Sequence, residues 1–172
     1  MNNAWAVIVG VGLTLWSSGA FAETGTAVIQ GTSEGSTVNG SAILIDSPDG
    51  LEVTVEVMGV APGKHAIHIH QYGACDDKGN AAGGHFNPDG SPHGFLPSDG
   101  LSKAHPGDMG NLDVGQDGKG FLTIRLPDVA LSGGRYSVGG RAIILHEKVD
   151  DFGQPTGNAG GRIGCGVIVI GE

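Results

Sequence analysis

The sequence predicts an all-β domain, an antiparallel sandwich or barrel of about eight strands. Three observations carry this. Short runs rich in Val, Ile and Thr alternate with clusters of Gly, Asp, Ser and Asn. No stretch holds the apolar repeat of a helix of three turns. The 33 glycines against 8 prolines, with no strict triplet, describe a loop-rich chain and not a collagen. Strands of five or six residues cannot build parallel crossover units without helices between them, so the sheet must be antiparallel.

Residues 1–22 carry no charged side chain, include the apolar stretch Ala4 to Trp16 and end in Ala20-Phe21-Ala22, a small-x-small cleavage pattern. They read as a secretory signal cut before Glu23, leaving 23–172 as one domain. No Lys or Arg precedes the apolar run, so the reading rests on that run and the triplet. The competing reading, a membrane anchor, needs nearer ~20 apolar residues, and Ser17, Ser18 and Gly19 interrupt this one. The strands then follow as Thr26 to Gln30, an edge piece Ser36 to Gly40, Ser41 to Asp46, and Leu51 to Val57. Asp46-Ser47-Pro48-Asp49-Gly50 is the turn of a hairpin, with Pro fixing φ and Gly tolerating the left-handed region. His65 to His70, Phe121 to Leu126, Arg141 to His146 and Cys165 to Ile170 complete the set. Two long connections, Tyr72 to Asp117 and Glu147 to Gly164, hold no convincing strand. Loops this long need something to order them, and the first contains three histidines and a cysteine.

The balance of 9 basic against 18 acidic residues gives a formal charge of -9 with no basic cluster, which excludes nucleic acid and acidic membrane surfaces as natural partners. Beyond residue 22 no stretch is long and apolar enough to cross a membrane as a helix. Cys75 and Cys165 are the chain's 2 cysteines. An oxidising compartment would let them pair, and neither belongs to a CxxC motif of redox exchange or sulfur-rich zinc sites.

The 7 histidines are His65, His68, His70, His85, His93, His105 and His146. One or two would be ordinary structural residues, but here His68 and His70 sit two apart on a strand and leave the same face. Two imidazoles so presented can grip one metal ion from a rigid support. Ile67 and Ile69 then face the core, and a slip of one residue would bury the histidines. His146 closes another apolar strand. His85, His93, His105 and Asp108 follow in the long loop. A carboxylate among imidazoles favours zinc, whereas an all-imidazole set suits copper in both oxidation states, and the donors suffice for two ions if one histidine is shared.

The stretches His65-Ala66-Ile67-His68-Ile69-His70, His85-Phe86-Asn87-Pro88, His105-Pro106-Gly107-Asp108-Met109-Gly110-Asn111, Gly140-Arg141-Ala142 through His146 to Asp151, and Gly157-Asn158-Ala159-Gly160-Gly161-Arg162 through Val167 together resemble copper/zinc superoxide dismutase. The resemblance spans nearly all of the mature chain, and the bacterial exported type is the nearer match. It implies a Greek-key sandwich or flattened barrel. It also implies copper held by His68, His70, His85 and His146, and zinc held by the shared His85 with His93, His105 and Asp108. Asp150 matches an aspartate that accepts hydrogen bonds from His68 and His93 and fixes their rings. Arg162 matches the arginine that guides the anionic substrate, Cys75 and Cys165 match the family disulfide, and His65 matches a structural histidine outside the site. Implied catalysis is disproportionation of superoxide to dioxygen and hydrogen peroxide, with His85 and Arg162 as its catalytic residues.

Two loops depart from the family pattern. Phe95-Leu96-Pro97-Ser98 stands between His93 and His105 where a more charged piece is expected. Asp151-Phe152-Gly153-Gln154-Pro155-Thr156 is short and lacks the charged residues that steer superoxide, leaving that to Arg162, the metal charge, and Lys148 or Lys103. The rival readings are a non-catalytic copper-binding or copper-delivery protein, which would lack Arg162, a copper-only dismutase, which would lack zinc ligands, and a purely structural sandwich. The expected location is the periplasm or another secreted one, and monomer and homodimer both stay open.

Overall fold

The computed structural model describes residues 22–171, so that the leader expected over 1–22 lies, but for Ala22, outside the described residues. The eight main strands are β1 Thr24–Gly31, β2 Asn39–Ser47, β3 Gly50–Met58, β4 Gly63–His70, β5 Asp108–Val114, β6 Gly120–Leu126, β7 Ala142–His146 and β8 Arg162–Val167. A two-residue β9, Val169–Ile170, follows. They form one antiparallel sheet in the order β2-β3-β6-β5-β4-β7-β8-β1-β9, and β1 pairs with β2 to close it. β3 beside β6, β4 beside β7 and β8 beside β1 are neighbours far apart in the chain, the mark of Greek-key connection. A full barrel leaves few free strand edges.

The strands form where apolar and polar residues alternate. In β1 Ala27 and Ile29 are buried while Thr26 and Val28 point outward, and β3 sends Leu51, Val53, Val55 and Val57 inward. The expected hairpin joins β2 to β3, with Ser47 opposite Gly50 and Gly50 at φ 116°, which only glycine accepts readily.

β4 and β7 differ, since all five residues of β7 and the last six of β4 are buried. Ile67, Ile69, Ile143 and Leu145 face the barrel core, and the opposite face is covered by the two long loops. Under those loops a small second cluster of Ala82, Ala142, Ile144 and Cys165 packs against Cys75. The site is built on this loop-covered face.

Three sequence expectations need correction. The Tyr72 to Asp117 stretch contains a 3₁₀ turn at Asn80–Ala82, a one-turn helix α1 at Leu96–Asp99, and the whole of β5, whose strand character Asp108, Gly110, Asn111 and Asp113 conceal. Its Met109, Leu112 and Val114 are buried, so tertiary packing overrides weak propensity. The edge piece Ser36 to Gly40 is not separate: β2 begins at Asn39. The run Cys165 to Ile170 is two strands interrupted at Ile168, and β8 starts earlier, at Arg162. Phe95-Leu96-Pro97-Ser98 has an apolar task, because Leu96 is fully buried in the core from α1.

Candidate two-metal centre

β4 and β7 lie side by side with His68 opposite Ile144 and His70 opposite Ala142. His146, at the end of β7, therefore shares a face with both histidines of β4, its ring centroid 5.1 Å from that of His68 and 5.5 Å from that of His70. His85 comes from the loop, yet backbone pairing places it: His70 and His85 form a bridge, Phe86 N donates to Ile69 O at 2.9 Å, and Gln71 N donates to Gly84 O at 2.9 Å. His105 and Asp108 flank the tight turn into β5, where Asp108 Oδ2 accepts from the backbone N–H of His105 at 2.9 Å and of Gly94 at 3.0 Å. His93 is brought in beside Gly94.

Hydrogen bonds at the far side of each ring decide which nitrogen remains free. His68 donates from Nε2 to Asp150 Oδ2 at 2.8 Å, and His93 from Nε2 to Asp150 Oδ1 at 2.9 Å. The Nδ1 atoms of both are buried with no hydrogen-bond partner, and so is Nδ1 of His146. His70 donates from Nδ1 to Gly83 O at 3.0 Å, which turns its Nε2 to within 3.3 Å of His146 Nε2. On the other side of His85, Nδ1 lies 3.3 Å from His105 Nδ1 and 3.1 Å from Asp108 Oδ1. His105 Nδ1 is 3.1 Å from the same oxygen. His93 Nδ1 is 2.9 Å from Asp108 Oδ2, close enough for an ion pair but out of hydrogen-bonding alignment.

These separations fit metal ions. Four donors each ~2.0–2.1 Å from a tetrahedral centre stand about 3.3 Å apart, and buried ring nitrogens without partners otherwise carry a desolvation cost of about 1–3 kcal/mol each. One compact set is His68, His70, His85 and His146, all donor atoms within 4.8 Å of one another. His68, His85, His93 and Asp108 are equally compact. His105 also directs Nδ1 at Asp108 and His85, so that it stands beside the second set.

Burial disfavours charge on the rings of the first set. It pushes His70 down to about 2, His146 to about 3 and His85 to about 4, with the neighbouring imidazoles adding to the effect. For His93 burial acts the same way but is outweighed by its bonds to Asp108 and Asp150, which lift it to about 9. Burial would raise Asp108 and Asp150. Hydrogen bonds from His105 and His85 and the close His93 ring to the one, and hydrogen bonds from His68 and His93 to the other, hold both well below the usual carboxylate range.

A cavity of about 460 Å³ opens over the first donor set, lined among others by His70, His85, His146, Lys148, Thr156 and Arg162. Arg162 begins β8 opposite His146, and its guanidinium donates at 2.6 Å to the carbonyls of both Gly79 and Gly83. The Cys75–Cys165 disulfide ties the same loop to the same strand. Lys148 also reaches the cavity. Lys103, expected to share the steering, does not line it: its backbone closes the turn after α1, bonding Gly100 O at 3.0 Å, and its side chain is exposed.

His65 stands apart from the donors, its ring nitrogens 2.9 Å from His146 O and 2.8 Å from Ala61 O. Two residues that sequence reasoning left without a role bind site backbone. Asn111 donates to Asp150 O at 3.0 Å and accepts from Asp150 N at 2.7 Å, and an asparagine inside a strand was the one available signal. Gln154 treats His93 alike. Gly157, at φ 76°, admits the Asp150 carboxylate where a Cβ would collide with it.

A closed Greek-key barrel carrying two adjoining histidine-rich donor sets defines a protein built for a two-metal centre. The chain belongs to the copper/zinc superoxide dismutase family, whose sequence profile matches residues 24–168. It is 38% identical over 149 residues to a Cu-Zn superoxide dismutase of Onchocerca volvulus, covering 80% of this chain and 92% of that one. To Cu-Zn superoxide dismutase 2 of Brassica juncea it is 40% identical over 152 residues, covering 84% and 95%. To an extracellular Cu-Zn superoxide dismutase of Brugia pahangi it is 35% identical over 158 residues, covering 86% and 77%. Among solved structures, the clock protein EA4 superposes with a TM-score of 0.75 at 32% identity, over 94% of this chain and 99% of that one. The two donor clusters are arranged like the copper and zinc sites of the family, which makes the chain an oxidoreductase by membership and by site.

Proposed function

We propose that the chain disproportionates superoxide to dioxygen and hydrogen peroxide, with copper at His68, His70, His85 and His146 and zinc at His85, His93, His105 and Asp108. The observation that carries this reading is the sharing of His85 between two donor sets beneath a cavity that presents Arg162 and Lys148. When bound, copper supplies a one-electron relay between two oxidation states, and zinc supplies a fixed charge that is not redox-active. Arg162 draws the anion into the cavity and orients it, its guanidinium held by two carbonyls so that it is aimed before substrate arrives. His85 is placed to pass a proton from Nε2 to the departing peroxide when that nitrogen is free of copper, while its Nδ1 stays fixed among His105, Asp108 and His93. Asp150 keeps the rings of His68 and His93 in one tautomer.

We further propose export to the periplasm or another secreted location after cleavage before Glu23. The uncharged apolar start and the disulfide, which an oxidising compartment sustains, support this. Among the described residues no helix is long and apolar enough to cross a membrane.

The test is superoxide removal by the copper- and zinc-loaded mature chain against a metal-free control. Loss of activity on chelation and return on adding both metals is expected. Stoichiometric copper with no turnover would instead favour the copper-delivery reading, against which the fixed Arg162 beside the cavity already argues.

A further inference from the structure

We infer that Gln154 is a positioning residue for the zinc half of the centre, an inference that rests on the function proposed above. Its side-chain amide grips the backbone of His93 in both directions: Oε1 accepts from His93 N at 2.9 Å, and Nε2 donates to His93 O at 2.8 Å. The His93 ring donates from Nε2 to Asp150. Every polar atom of His93 is thus engaged in a hydrogen bond except Nδ1, which is buried and turned toward Asp108. Backbone and ring are fixed independently, and the one atom left over is the donor.

The grip comes from an unusual place. The 151–156 loop is largely exposed, yet Phe152 from the same loop lies parallel to the His93 ring at 6.3 Å, with 22° between planes. Gln154 and Phe152 together hold His93 from one side while Asp150 holds it from the other. Asn111 makes the same two-bond grip on the backbone of Asp150. The two carboxamides therefore lock both ends of the His93–Asp150 hydrogen bond. Thr156, two residues beyond Gln154, lines the substrate cavity, so order at His93 and order at the cavity rim are joined through this loop. Loss of an outer partner that orients a ligand costs about 10- to 100-fold in metal affinity, and two charge-neutral bonds on an exposed loop belong at the lower end of that range.

The experiment compares the parent with Gln154→Met, which keeps length and removes both bonds, and Gln154→Glu, which keeps an acceptor and removes the donor. Each full, disulfide-bonded chain is loaded with copper and zinc and challenged with a chelator. Cobalt is then placed in the zinc position to bring out the His93 ring N–H resonance. Gln154→Met should release zinc ~10-fold faster than the parent, retain copper as the parent does, and show faster solvent exchange of the His93 N–H. Gln154→Glu should also release zinc faster. Zinc release by Gln154→Met within twofold of the parent, with an unmoved His93 signal, overturns the inference, and so does a Gln154→Glu protein that behaves as the parent. A parent chain that holds no zinc at all would instead sink the zinc half of the proposed function and this inference with it, so the two failures are told apart.

Discussion

Asp150 touches no donor atom of the cavity, yet it receives a hydrogen bond from a ring of each set: His68 at 2.8 Å and His93 at 2.9 Å. Replacing it by Ala removes the partner that fixes both tautomers. Metal affinity at both positions should fall together by about 10- to 100-fold, and metal content after dialysis against a graded chelator measures this. Loss of zinc alone would mean that β4 by itself orients His68. Arg162→Ala makes the opposite demand. A guanidinium is no ligand, so copper and zinc contents should stay near those of the parent, while the second-order rate of superoxide removal falls. Its decline with rising salt should be weaker than in the parent at matched ionic strengths, because a local attraction has gone. An unchanged rate across the salt series would remove Arg162 from substrate guidance.

At the scale of elements, the donors on strands were legible because ligation demands particular residue types and a strand repeats every two residues. His68 and His70, with Ile67 and Ile69 facing the core, follow from that period alone. β5 was not legible, since its sequence joins Asp, Gly and Asn to a few apolar residues that only the barrel makes sense of. The loop path was hidden for another reason: it is set by side chains meeting backbone carbonyls, as when Arg162 meets Gly79 and Gly83, and such contacts have no periodic signature. The disulfide reinforces that same attachment of loop to β8. Closing a loop of 90 residues stabilises the fold by at most about 4.6 kcal/mol in the chain-entropy account. Reduction should therefore lower the denaturant midpoint of the metal-free protein and accelerate protease cleavage within 76–84, both readable on one sample with and without reductant. Cleavage unchanged by reduction would assign the anchoring to Arg162 instead.

Across the whole molecule, a formal charge of -9 surrounds a centre that must attract an anion and retain cations. Arg162 and Lys148 lie at the cavity while the carboxylates of Asp108 and Asp150 are buried beneath the imidazoles, so the sign of the field is set locally. The same buried groups give the metal-free protein a characteristic response to pH. His70, His85 and His146 are pushed from 6.5 down to about 2, 4 and 3, chiefly by burial. Their unfolded forms take up protons that the folded forms refuse, so stability present above pH ~6.5 is lost as pH falls below it. Depressed Asp108 and Asp150 add to this loss below pH ~4. His93 works the other way. Burial opposes its charge, but its carboxylate partners raise it to about 9, so its contribution is complete below pH ~6.5 and disappears as pH rises through 9. Stability of the chelator-treated protein should therefore peak near pH 6.5, with an acid arm drawn by three histidines steeper than an alkaline arm drawn by one. Denaturant midpoints taken from pH 4 to 10 test this, and Asp150→Ala, which removes one of the two partners of His93, should flatten the alkaline arm. A profile level between pH 4.5 and 6.5 would mean that the imidazoles of the empty centre are open to water and not held neutral by the fold.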